Sequence, residues 1–157
     1  MQEKAKDYCN KANEFQYKIK NFAEASNYYL KAISLDSEFT EALNGYAQNL
    51  RLNVKDYNLA IIYYSKVIEL NPLFECAYFR RGICKGMLND LHGQLYDYSK
   101  HIEINKPKAD NFISRILINL KLENNLAVIE DCKIVLSLEP NHPFALKTLI
   151  ETQKRII

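Results

Sequence analysis

The feature that most constrains this chain is a period. Leu35, Leu70, Ile104 and Leu138 close the segments "YYLKAISLDS", "YYSKVIELNP", "YDYSKHIEINKP" and "DCKIVLSLEP", and they stand 35, 34 and 34 residues apart. Six residues before each lies Tyr29, Tyr64, Tyr98 or Cys132. A second column keeps the same step through Tyr8, Leu43, Tyr78, Phe112 and Leu146. A third is mostly small, with Ala12, Ala47 and Gly82, then Ile116 and Ile150. Three columns on one step define an internal repeat. A unit of this length is one supersecondary element that cannot bury its apolar face alone, so its copies must stack.

Each unit holds two stretches with apolar residues at helical spacing. The first stretches lie near 4–18, 39–52, 74–88 and 108–122, and the second near 22–35, 57–70, 91–104 and 125–138. Short polar turns ("KIKN", "NVKD", "LND", "EN") separate them. Pro72 and Pro140 follow second stretches, where proline cannot continue a helix. Pro143 opens a final stretch at a plausible first helical turn. The expectation is an all-α fold, a right-handed α-α superhelix of four helix pairs and a C-terminal capping helix. It forms a single domain over 1–157, with units of roughly 5–38, 39–73, 74–107 and 108–141 and the cap at 143–157. The small column marks where paired helices cross closely, and Ala25 and Ala60 take the matching slots on the second helices. Ala12 to Ala25 and Ala47 to Ala60 span 13 residues against 12 in the later units, which places one extra residue in the first two inter-helix turns.

This pattern resembles the tetratricopeptide repeat family over essentially the whole chain. The family shares the repeat length, the alternation of large and small columns and the closing proline. The resemblance sets small residues where the third unit has Gln94 and His101 and the fourth has Ile116 and Val128, so it implies looser or shifted packing there.

Composition closes off other classes. With 48% apolar residues, a full core needs no disulfide or metal. Twenty-one basic residues against 19 acidic ones leave no broad footprint for nucleic acid or an anionic membrane. Cys9, Cys76, Cys84 and Cys132 match no zinc or redox spacing and read as reduced thiols of a cytoplasmic protein. No apolar run reaches the roughly 18 residues of a membrane span, and the charged start lacks a signal-peptide core. Phosphate loops, nucleophile elbows and metal-spaced clusters are missing from the pattern, so we expect no enzyme, no cofactor, no metal and no small-molecule substrate. His101 and Gln94, seven apart on one inward face, read as polar groups that satisfy each other or a water. The tyrosine pairs at 28–29, 63–64 and 96–98 read as packing rather than base stacking.

The resemblance implies a concave surface lined by the first helices. Carried onto this chain, it names Asn13 and Tyr17; Asn44, Gln48 and Arg51; Phe79, Arg80, Ile83 and Met87; and Ser114 and Lys121. Phe79, Ile83 and Met87 form an i, i+4, i+8 stripe suited to adaptable contacts. The expected function is a non-catalytic scaffold that binds a protein or peptide segment. An acidic ligand is a corollary, because cations outnumber acids among these positions. The alternative is a structural piece of a larger solenoid or assembly, suggested by the apolar ending "KRII". A third reading is capture of chaperone tails. Its five-residue clamp would fall on Cys9, Asn13, Gly45, Cys76 and Arg80, of which Asn13 and Arg80 match the family's residues.

Overall fold

A computed structural model describes residues 2–156. Nine α-helices follow one another among them, in two compact units, 1–89 and 90–157. The first unit holds α1 (Gln2–Glu14), α2 (Phe22–Leu35), α3 (Thr40–Asn49), α4 (Tyr57–Leu70) and α5 (Glu75–Met87). The second holds α6 (Leu91–Ile104), α7 (Ala109–Lys121), α8 (Asn125–Leu138) and α9 (Pro143–Gln153). Within the first unit α1 packs on α2, α2 on α3, α3 on α4 and α4 on α5; within the second, α6 packs on α7, α7 on α8 and α8 on α9. That is the stacking the period demands.

The second helices of the four repeats are each 14 residues long, and their starts are set chemically. Asn21, Asp56 and Asp90 sit at their N-caps, where side-chain oxygens accept from the backbone N–H of Glu24 (3.1 Å), Leu59 (3.0 Å) and Gly93 (2.8 Å). This satisfies N–H groups that a helix start leaves without partners. These caps and Asn124 form a fourth column on the repeat step. One residue earlier, Lys20, Lys55, Asn89 and Glu123 adopt left-handed backbone, with φ of 59°, 62°, 62° and 56°. At the start of α9, His142 takes the cap role, its Nδ1 accepting from Ala145 N–H at 3.3 Å, ahead of Pro143.

The extra residue of the first two repeats does not lengthen the inter-helix turn. It is absorbed earlier, in π-helical turns at Phe15–Ile19 and Leu50–Val54 that continue α1 and α3. A π-turn admits one residue into a helix by widening its hydrogen-bond ring from i→i+4 to i→i+5, so the left-handed residue still directly precedes the helix start in all four repeats, with a side-chain cap bond in the first three. The cap at 143–157 is also shorter than expected: α9 ends at Gln153, and residue 157 lies outside the described residues.

The small column does its work in the first unit. Ala12, Ala25, Ala47 and Ala60 are all fully buried, in one core with Tyr29 and Tyr64. Looser packing was the expectation for the fourth repeat, but Ile116 and Val128 are fully buried in the second unit's core beside Cys132 and Val135. Bulk there fills the interface. Leu146 and Ile150 depart from their columns. They are 41% and 52% exposed on α9, because no following helix of the described chain lies against that face. The His101 ring meets the Asn105 side-chain amide at 3.1 Å.

Candidate functional site

The polar chemistry of the first unit is built around two repeat-related tyrosines. Tyr29 on α2 is fully buried, and its hydroxyl lies 2.6 Å from Asn13 Oδ1 and 2.8 Å from Gln16 Oε1. Its single hydrogen serves one of these oxygens at a time. Gln16 is itself buried, held inward by the π-turn that ends α1. Burial raises the Tyr29 pKa well above the usual phenol range, so the hydroxyl remains a donor. Asn13 is therefore tied to the core through Tyr29, while Tyr17, one residue past Gln16, is 56% exposed.

One repeat later the same geometry carries different chemistry. Adding 35 to Asn13, Gln16 and Tyr29 gives Gln48, Arg51 and Tyr64. Tyr64 is fully buried like Tyr29, yet its hydroxyl has no hydrogen-bond partner, and neither has Arg51 Nε. Where the first repeat offers the phenol an acceptor, the second offers a guanidinium, which has only donors. Burial raises the Tyr64 pKa, while Arg51, through hydrogen bonding to the phenol and then through its charge, and the charge of Arg80 partly offset that rise.

Arg80 reaches this place from α5. Its Nη1 donates to Asn44 Oδ1 on α3 at 2.9 Å, a bond between two residues the sequence had grouped. Phe79 and Ile83 are half-buried on the same helix, as is Gln48 on α3, and Met87 is 59% exposed. The first unit thus brings Asn44, Gln48, Arg51, Phe79, Arg80 and Ile83 onto its first helices with part of each surface open. Ser114 and Lys121 belong to the second unit. The Ser114 hydroxyl donates to the Asp110 carbonyl at 2.9 Å, and Lys121 is exposed at the end of α7.

The clamp positions have physical accounts. Cys9 is buried, and burial followed by Glu41 pushes its thiol up to about 11, so it carries no charge for a carboxylate. Gly45 faces Tyr29 so closely that an added Cβ would meet the ring at 2.5 Å. Any larger side chain, asparagine included, would have to displace Tyr29. Cys76 is half-buried beside Glu75 Oε1 at 3.6 Å. All four cysteines are free thiols.

Arg81 packs on its own helix and reaches across to α4. Its Nη1 donates to Ser65 Oγ at 2.9 Å and its guanidinium lies 5.7 Å from the Tyr78 ring centroid. Arg115, 34 residues on, repeats the device with Ser99 Oγ (3.3 Å) and Phe112 (5.5 Å). It adds a bidentate pair with buried Asp131, Nε to Oδ2 at 2.9 Å and Nη2 to Oδ1 at 2.6 Å. These hydrogen bonds raise the Arg115 pKa further. Sequence reasoning missed this arginine column, the cap column and the tyrosine networks. The first two were visible as the repeat step applied to polar residues, whereas the tyrosine networks depend on packing. Among the described residues no group of three or more His, Cys, Asp or Glu could hold a metal ion, and no helix is long and apolar enough to cross a membrane.

A helical-repeat protein is the class these features define. No family model matches the chain. Solved structures do: a MamA protein superposes with a TM-score of 0.84 at 19% identity over 98% of this chain and 83% of that one. The first TPR of Spaghetti (RPAP3), bound to the HSP90 peptide SRMEEVD, superposes at 0.72 and 22% identity over 78% and 96%. The first TPR domain of human RPAP3 gives 0.69 at 21% identity over 79% and 96%. The chain therefore has the tetratricopeptide-repeat fold. Serine/threonine-protein phosphatase 5 of Rattus norvegicus is 32% identical over 88 residues, 55% of this chain. The chain spans 17% of the length of that curated relative.

Proposed function

We propose that the chain is a non-catalytic interaction module of 1–157, which holds a segment of a partner protein against the first helices of its repeats. The observation that carries this reading is the half-open face of α3 and α5, where Arg80 and Asn44 join two helices and keep most of their polar groups available. Phe79, Ile83 and Met87 share α5 with cationic Arg80, and Arg51 lies in the π-turn that continues α3, which suits a segment carrying both acidic and apolar side chains. The peptide held by the first TPR of RPAP3 is of that kind. Capture of such a tail by the five-position clamp is not favoured, because Cys9, Gly45 and Cys76 supply neither lysine nor asparagine.

An array of acidic and neutral peptides, probed with the full chain and with Arg80→Ala and Phe79→Ala, tests the reading. Retained peptides should be acidic, should be lost in both variants and should bind less well as salt rises, since exposed charges are screened within about 10 Å at 0.1 M salt. Binding indifferent to both substitutions would discard the groove. A second reading, a subunit packed inside an assembly, is supported by the exposed Leu146 and Ile150 on α9.

A further inference from the structure

The π-turns that continue α1 and α3 each expose two large apolar side chains. Tyr17 and Ile19 are 56% and 55% exposed, and their repeat mates Leu52 and Val54 are 46% and 50% exposed. Such repeat-related pairs differ from the single apolar residues scattered over an ordinary surface. Between the two turns lies a recess of about 370 Å³, lined by Gln16, Tyr17, Lys20, Phe22, Leu52 and Asn53. That volume is near the bottom of the roughly 300–1,000 Å³ range of small-ligand pockets, so it suits a side chain better than a cofactor. The walls are held by the core. Gln16 lies 2.8 Å from the buried Tyr29 hydroxyl, Asn53 Nδ2 donates to Asn49 Oδ1 at 2.8 Å, and Asn49 Nδ2 donates to the Phe22 carbonyl at 2.9 Å. A recess formed in advance lowers the ordering cost of binding. Its surroundings are cationic: over residues 14–21 and 49–56, Lys18, Lys20, Arg51 and Lys55 stand against Glu14 and Asp56, and Asp56 is engaged in capping α4. Four cations less two acids leave two net positive charges. That falls short of the clusters of roughly four to eight basic residues that hold proteins on anionic lipid, and a bilayer does not enter a recess. The charge and the shape together fit a protein segment.

We propose that the recess between the two π-turns is a docking site for a large apolar side chain of a partner protein, carried on a segment whose neighbouring residues are acidic. The incoming side chain packs on Tyr17, Phe22 and Leu52. Its acidic neighbours are met by Lys20 at the recess and by Lys18 and Lys55 on the flanking turns. The site goes beyond the groove reading, because no residue of α5 lines it. Among the described residues only these two helix ends carry π-turns, and π-turns inside helices recur at functional sites. The inserted residue of the first two repeats thereby gains a use that the shorter later repeats lack.

The test is an NMR titration of the full chain, with the Leu52 methyl signals reporting the recess and the Met87 methyl signal reporting the groove. The probes are the amidated, acetylated peptides Asp-Glu-Phe-Glu-Asp, Asp-Glu-Ala-Glu-Asp and Lys-Lys-Phe-Lys-Lys. The first should move the Leu52 signals saturably. The alanine peptide should bind about tenfold more weakly, as loss of a buried aromatic side chain requires, and the lysine peptide should leave Leu52 unmoved. Tyr17→Ser should weaken the first peptide about tenfold, and joint Lys20→Gln and Lys55→Gln about threefold. Leu52 signals unmoved by the acidic phenylalanine peptide overturn the proposal, as does wild-type affinity in folded Tyr17→Ser. Vesicles of equal parts phosphatidylserine and phosphatidylcholine that sediment the chain, while that peptide leaves Leu52 unmoved, also overturn it and make this edge a membrane contact. Arg80→Ala and Phe79→Ala should leave the Leu52 response intact even where they abolish groove binding. A Leu52 response lost in those two variants places the peptide in the groove and removes the recess.

Discussion

At the scale of single residues, Tyr29 and Tyr64 are a natural controlled comparison. Both are fully buried, on equivalent helices, in one core. Only Tyr29 has acceptors, so removing its hydroxyl leaves buried Gln16 without its donor. Tyr29→Phe should therefore destabilise the chain by about 1–3 kcal/mol. Tyr64→Phe removes a buried donor that has no partner and sits beside a cation, so it should be neutral or mildly stabilising in the absence of ligand. Urea midpoints of the two variants measure this, and equal losses at both sites would refute the asymmetry. The candidate site was half legible at this scale. Arg51 and Arg80 stood out because guanidinium at a groove position is a strong chemical signal. Tyr64 was hidden, since its column announced packing, and an unmatched hydroxyl is a property of surroundings rather than of residue type.

At the scale of elements, the helices and their order were legible because the 3.6-residue periodicity, the prolines and the polar turns all agreed. The π-turns were not. An insertion of one residue fits an inter-helix loop as readily as a helix end, and the choice is made by the next helix start. Asn21 and Asp56 fix that start by capping, and Lys20 and Lys55 fix the reversal with left-handed backbone, so the surplus residue is pushed back into the helix. Left-handed backbone costs a residue with a Cβ roughly 1–2 kcal/mol, part of which glycine recovers against its greater freedom when unfolded. Lys55→Gly should stabilise the chain by about 0.5–1 kcal/mol, and Asp56→Ala should cost about 1 kcal/mol through loss of the cap. Thermal unfolding of both reads the signs. A destabilised Lys55→Gly would show that Lys55 is held there by something other than the turn.

At the scale of the molecule, the repeat leaves one of its own faces open. Leu43, Phe112 and their neighbours are buried wherever a partner helix follows within a unit, whereas Leu146 and Ile150 on α9 are 41% and 52% exposed. If that face is covered in an assembly of this chain, light scattering should show mass rising with concentration and Ile150→Lys should abolish the rise. A monomer at every concentration would argue against a covered α9 face and favour the interaction module acting alone. The sequence by itself determined the repeat, its helices, its stacking and the residues that fill the crossings, because periodicity and volume are properties a one-dimensional pattern carries. Tertiary structure alone decided which polar groups find partners. An asparagine and a glutamine close on Tyr29, while one repeat later the same positions set a guanidinium beside a phenol that has no acceptor. Hydrogen-bond satisfaction depends on which atoms meet within about 3 Å, and that is settled only when the helices pack.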